Sequence, residues 1–142
     1  MTLLVAVGNP LRGDDGVAHR VLELLPEAQQ VLQMSRHQLT PEMAEDVAAA
    51  SEVYFIDADA AATEAAIEPL APAAGTAYAP AHIFAPSRLV ALAIDLYGWK
   101  GRAFLCRTPA VDFSPGMRLS ALAEAGARAA AALLNRRIFE KN

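Results

Sequence analysis

Cysteine, aromatic residues and charge are all scarce in this 142-residue chain: it has one cysteine, 6% aromatic residues and 20% charged residues. A single cysteine, Cys106, excludes an internal disulfide and any multi-cysteine zinc cage. It suits a reducing compartment, so a cytoplasmic protein is expected. No window reaches the roughly 18 to 20 apolar residues that a membrane span requires. The apolar run after Met1 has no basic region before it, so it reads as a strand rather than a signal. The 12 basic residues are scattered among 16 acidic ones, for a net charge of -4. That pattern offers no footprint for a nucleic-acid backbone or an anionic membrane. Gly-x-Ser-x-Gly and His-Glu-x-x-His are also missing, so serine hydrolase and common zinc-protease chemistry lack their motifs.

What the chain does have is apolar residues, at 54%, swollen by 32 alanines. This is enough to bury one core, and the whole of 1–142 is expected to form one domain. Leu3 to Val7 is a short apolar run ended by Gly8-Asn9-Pro10, as in a strand buried on both faces of a parallel sheet. Val17, Val21, Leu22, Leu24 and Leu25 follow at helical spacing, with Asp14 and Asp15 placed to cap the helix start and Pro26 to stop it. Val31 to Met34 reads as a weak second strand. Thr40-Pro41-Glu42 opens a second helix with a capping hydroxyl, a proline at the first position and an acid in the first turn, and Met43, Val47 and Ala50 face inward.

Val53 to Ile56 is the clearest strand and leads straight into Asp57-Ala58-Asp59. Ala66 to Leu70 reads as a short edge strand because prolines are poorly tolerated in central ones, and Ala71 to Ala81 as a connection. Pro86 to Tyr97, closed by Gly98, is a third helix with Leu89, Leu92, Ala93 and Leu96 on one side. Ala103 to Cys106 is a further strand, and a last helix runs from about Ser120 to Arg137. There is no internal repeat. The order predicts an α/β fold: a three-layer domain with a twisted, mostly parallel sheet, Val53 to Ile56 central in it, and helices on both faces.

In such sheets ligands bind outside the carboxyl ends of the strands, which directs attention to the polar residues that land there. Gly8-Asn9-Pro10-Leu11-Arg12-Gly13-Asp14-Asp15-Gly16 resembles a phosphate loop in its glycines. A phosphate loop needs lysine and a hydroxyl next, and paired acids would repel an anion. They suit a cation or a proton, although one of them can equally cap the helix. Asp57 follows an apolar strand and is costly to desolvate unless it is paired, hydrogen-bonded or on a metal, whereas an Asx turn suits Asp59. His82 lies on a loop just before a helix; by itself a loop histidine is more often incidental. Two carboxylates and an imidazole are a plausible divalent-metal set, suited to nickel or zinc. Cys106, inside an apolar strand, reads as core. His19 reads as solvated, and His37 as a residue that could border the site.

These residues resemble the hydrogenase maturation endopeptidases, which trim the C-terminal extension of nickel-iron hydrogenase large subunits. Val7 to Gly16 is similar to the family's opening Gly-Asn-x-x-x-x-Asp-(Asp/Glu) signature, and Phe55-Ile56-Asp57-Ala58 to its strand ending in Asp-Ala. His82, ahead of Pro86, Leu89, Leu92 and Leu96-Tyr97-Gly98, is similar to its metal-binding histidine before a leucine-rich helix. The resemblance implies that Asp15, Asp57 and His82 are the metal-binding and catalytic residues, with Asp14 capping or supporting. It departs at Ala18, where many members have glycine, and at Arg36-His37-Gln38-Leu39-Thr40, where many have Gly-Gly-Thr.

The implied activity is an aspartyl-type endopeptidase that cleaves the large-subunit precursor after nickel insertion. The nickel comes in the substrate, and no organic cofactor is expected. The precursor is the expected partner of a cytoplasmic monomer that uses neither nucleic acid nor membrane. Two other classes compete: a nickel-recognising chaperone that holds the large subunit without cutting, and a small nucleotide-binding α/β protein, which the acids of the opening loop disfavour.

Overall fold

The computed structural model describes residues 1–73 and 84–140. Strands β1 (Thr2–Val7), β2 (Val31–Arg36), β3 (Glu52–Asp59), β4 (Ala66–Pro69) and β5 (Arg102–Pro109) are joined through helices α1 (Val17–Glu23), α2 (Ala44–Ala48), α3 (Pro86–Tyr97) and α4 (Ala121–Leu134). The strands form one sheet in the order β2-β1-β3-β5-β4. All neighbours are parallel except β4, which pairs antiparallel with β5 at the edge. The expected α/β architecture is therefore present, and Val53 to Ile56 lies in the middle strand.

Alternation along the strands builds two cores. Leu4, Ala6, Tyr54, Ile56, Phe104 and Cys106 face α1 and α4 on one side. Leu3, Val5, Val53, Phe55 and Ala103 face α2 and α3 on the other. The period of two in each strand thus produces three layers, because both faces are apolar and each needs a helical cover. Gly98, with φ +64, closes α3 in the left-handed conformation, and the Trp99 indole that follows donates to the Ala50 carbonyl at 2.7 Å. The stripe of α3 differs from expectation at one place: Leu89, Val90 and Ala93 are buried, while Leu96 is 63% exposed. The buried indole of Trp99, not Leu96, covers this end of the layer.

Several elements run longer or begin differently than their sequence suggests. β2 continues to Arg36, and β3 continues through Asp59, so Asp57 lies within a strand rather than after it. The reason is β5, which pairs with β3 out to Asp59↔Pro109, whereas β1 stops at Ala6↔Ile56. The last three residues of β3 are thus bare on the β1 side. Neither aspartate caps α1: a 3-10 turn, Gly13–Gly16, precedes the helix with no side-chain cap. Thr40 does not cap its helix either, and the element opens as a 3-10 turn, Pro41–Met43. α4 begins as predicted at Ser120, whose hydroxyl accepts from the Ala123 N–H, and its last turn widens into a π-helical Asn135–Phe139. Among the described residues no helix is long and apolar enough to cross a membrane.

Candidate functional site

The chain passes from β1 to β2 on one side and then crosses to β3 on the other, so the order of strands reverses between β1 and β3. In open α/β sheets the crevice at such a reversal, at the carboxyl ends, is where ligands sit. Asp15 lies on the turn that leaves β1, and Asp57 on the part of β3 that outruns β1. Both are half-buried. The Asp15 carboxylate is close enough to help push the Asp57 carboxyl up.

Asp15 is placed by glycine. Gly8 has φ +148, and a Cβ there would fall 1.9 Å from the Asp15 backbone oxygen, so only glycine lets the two segments stack this closely. The Asn9 N–H then donates to Asp15 Oδ2 at 2.7 Å, while Asn9 Oδ1 accepts from the Leu11 N–H in an Asx turn. Among the described residues no donor reaches Asp15 Oδ1, which leaves that oxygen available to a ligand.

The pair of adjacent acids divides its labour. Asp14 is wholly buried. It accepts from the N–H groups of Val111 and Asp112, and from both the N–H and the hydroxyl of Ser120, at 2.7 to 2.9 Å. Burial alone would raise its carboxyl, but these four bonds outweigh burial and hold it below the usual carboxylate range. Asp14 therefore supports the site by tying the β1–α1 loop to the β5–α4 loop rather than by capping α1. The tie is reinforced by Gly13 N–H to Gly116 O and Gly116 N–H to Leu11 O, both at 2.8 Å.

Asp57 is governed by desolvation. Burial pushes its carboxyl up to about 6; the Ala58 N–H opposes this, Asp15 and Asp59 add to it, and Arg107 draws it back. Among the described residues Asp57 makes no salt bridge. Asp59 accepts from the Ala61 N–H in the expected Asx turn and also binds Arg107 Nη1 at 2.8 Å.

Arg107 was not singled out by its sequence context. Yet it ends the apolar run of β5 as Asp57 ends that of β3, and the same reasoning applied to both strands identifies it. β4 brings Glu68 to the other side of the guanidinium at 2.7 Å. Thr108, also fully buried, donates its hydroxyl to the Asp57 carbonyl at 3.0 Å and braces the strand end.

The remaining candidates separate cleanly. Cys106 is core, and burial pushes its thiol up to about 12, which excludes a thiolate nucleophile near neutral pH. His37 is exposed after β2, on the side of β1 away from β3. His19 is not solvated as expected: it is half-buried, with Nε2 2.8 Å from the Gly8 carbonyl oxygen. A carbonyl only accepts, so Nε2 carries the proton. The helical turn places the ring back over the end of β1, which its sequence neighbours do not reveal. His82 lies outside the described residues, and among the described residues no group of three or more metal-competent side chains is assembled.

No family model and no curated protein matches the chain in sequence. Solved structures do match in fold. A hydrogenase 2 maturation peptidase from Thaumarchaeota archaeon SCGC_AB-539-E09 is 22% identical with a TM-score of 0.70, over 99% of this chain and 100% of that one. The hydrogenase maturating endopeptidase HybD from E. coli is 20% identical with a TM-score of 0.70, over 99% and 93%. The NiFe hydrogenase maturation protease HycI from Thermococcus kodakarensis KOD1 is 20% identical with a TM-score of 0.71, over 98% and 92%. The chain thus has, nearly end to end, the fold of the hydrogenase maturation peptidases.

Proposed function

We propose that this protein is an endopeptidase of hydrogenase maturation that removes the C-terminal extension of a nickel-iron hydrogenase large-subunit precursor once nickel is in place. The observation that carries this reading is the placement of Asp15 and Asp57 at the carboxyl ends of the adjacent strands β1 and β3, at the strand-order reversal of a fold shared with maturation peptidases. Two carboxylates at one edge of the sheet, with no donor on Asp15 Oδ1 and no salt bridge at Asp57 among the described residues, are a donor set that would suit a divalent cation. Nickel carried by the substrate would be held by Asp15 and Asp57, with His82 as the nitrogen donor. With its carboxyl pushed up only to about 6, Asp57 is ionised above that pH at a cost from burial and from Asp15, and the cation of a loaded substrate would offset that charge.

Nickel held there would polarise the bond to be cut or position water beside it. The chain's own part is to orient the two carboxylates and, through Asp57, to hold or release a proton near neutral pH. Exposed Leu11, Val111 and Met117 lie on the two loops that Asp14 ties together and offer apolar contacts suited to a protein substrate. Beside it an open groove of about 430 Å³ is lined by Pro10, Gly13, Gly16, His19, Met117 and Leu119, among others.

The test is incubation of the protein with nickel-loaded and nickel-free precursor, followed by mass spectrometry of the large subunit. Release of the C-terminal peptide from the loaded form alone is expected, and Asp57→Asn should abolish it. Equal cleavage of both forms would remove the nickel requirement. Nickel-dependent binding of a cognate precursor without cleavage would instead mark a chaperone.

A further inference from the structure

Asp15 and His19 are four residues apart and grip the two ends of one peptide unit. The unit is the Gly8–Asn9 peptide: its N–H donates to Asp15 Oδ2 at 2.7 Å, and its carbonyl accepts from His19 Nε2 at 2.8 Å. Beyond β1 this carbonyl has left the sheet ladder, although the Gly8 N–H still bonds to the Arg36 carbonyl at 3.1 Å. The imidazole supplies the partner that the ladder no longer does. We propose that His19 is a positioning residue for Asp15, acting through the Gly8–Asn9 peptide to fix which carboxylate oxygen is engaged and which faces the ligand.

Three physical effects support this. A peptide is planar and rigid, so holding its oxygen also sets the direction of its N–H. A bond to the carbonyl polarises the amide and strengthens its N–H as a donor, as in other hydrogen-bonded chains. Gly8 leaves no room for a Cβ against the Asp15 backbone, so the peptide cannot turn away without moving the aspartate. The arrangement matches the outer partners of metal-binding carboxylates, whose loss typically weakens metal binding about 10- to 100-fold.

The inference rests on the reading of Asp15 as a nickel-binding residue, and its test separates the two. His19→Leu removes the donor, and His19→Gln offers a side-chain amide N–H at similar reach. The probe is nickel(II) ion alone, titrated calorimetrically into the purified full chain, with the Asn9 amide proton followed by NMR. His19→Leu should weaken nickel binding about tenfold and shift the Asn9 amide proton upfield, as its bond to the carboxylate loosens. His19→Gln should recover both. Nickel affinity in His19→Leu equal to that of the parent, or an unmoved Asn9 amide, would overturn the proposal. If His19→Leu fails to fold, a His19→Gln protein that is folded but has lost both properties overturns it, and one that retains both supports it. If the parent protein takes up no nickel, the nickel-binding reading of Asp15 fails, and the Asn9 amide alone decides whether His19 positions that carboxylate.

Discussion

Asp57 and Arg107 are direct partners in the β3–β5 ladder, yet the guanidinium bonds to Asp59 and Glu68 and makes no salt bridge to Asp57. The half-buried Asp57 therefore feels this guanidinium only through space. Burial raises its carboxyl and makes its ionised form costly, and among the described residues no ion pair offsets this.

Replacing Asp57 with Asn should stabilise the ligand-free protein at pH 7.5. The carboxyl moves from 3.8 to about 6 on folding, so between those values the native state holds a proton that the unfolded state has lost. The associated stability is complete below about pH 4 and is lost as pH rises through 6. The ionised group then costs about 2 to 3 kcal/mol, of which Asn should recover up to about 2. Urea melts in the presence of a chelator at pH 7.5 and pH 4 should show the gain at the higher pH alone. An equal effect at both would contradict the desolvation account.

Removing Arg107 tests the through-space coupling. In Arg107→Met the Asp57 midpoint should rise above about 6, because the guanidinium that pulls it down is gone. Stability should fall by only about 1 kcal/mol, since the guanidinium is 43% exposed and its pairs are solvent-screened. Carbon-13 NMR of the Asp57 carboxyl across the pH range reads this directly; an unchanged midpoint would show that Arg107 serves Asp59 and Glu68 alone.

Asp14 should behave as structure rather than chemistry. Asp14→Ala strips partners from three N–H groups and one hydroxyl, and a loss of about 3 kcal/mol is expected. The amide hydrogens of Val111 and Asp112 should exchange faster in this variant. Because the native carboxyl is held below its ordinary value, its contribution is present above that value and disappears as pH falls through the lowered one. Unchanged exchange at Val111 and Asp112 would mean that the backbone bonds between the two loops, including Asp14 N–H to the Asp112 carbonyl, hold them without the carboxylate.

The sequence by itself determined the layers and the edge on which the site stands. Runs such as Leu3 to Val7 and Val53 to Ile56 are apolar at every position, which demands helices on both faces. Pro86 and Gly98 bound α3 by local chemistry, through a preset φ at the start and a left-handed residue at the end. Asp57 and the loop that carries Asp15 follow, because adjacent parallel strands present their carboxyl ends at one edge. Tertiary structure alone decided which acid of Asp14-Asp15 was buried, since its partners are 97 to 106 residues away. It also decided that β3 runs on past β1, that Glu68 of β4 reaches Arg107, and that His19 turns back to the Gly8 carbonyl. Hydrophobic period is a property of neighbours along the chain, whereas desolvation and hydrogen bonding depend on what else fills the space around a group, and only the folded chain supplies that.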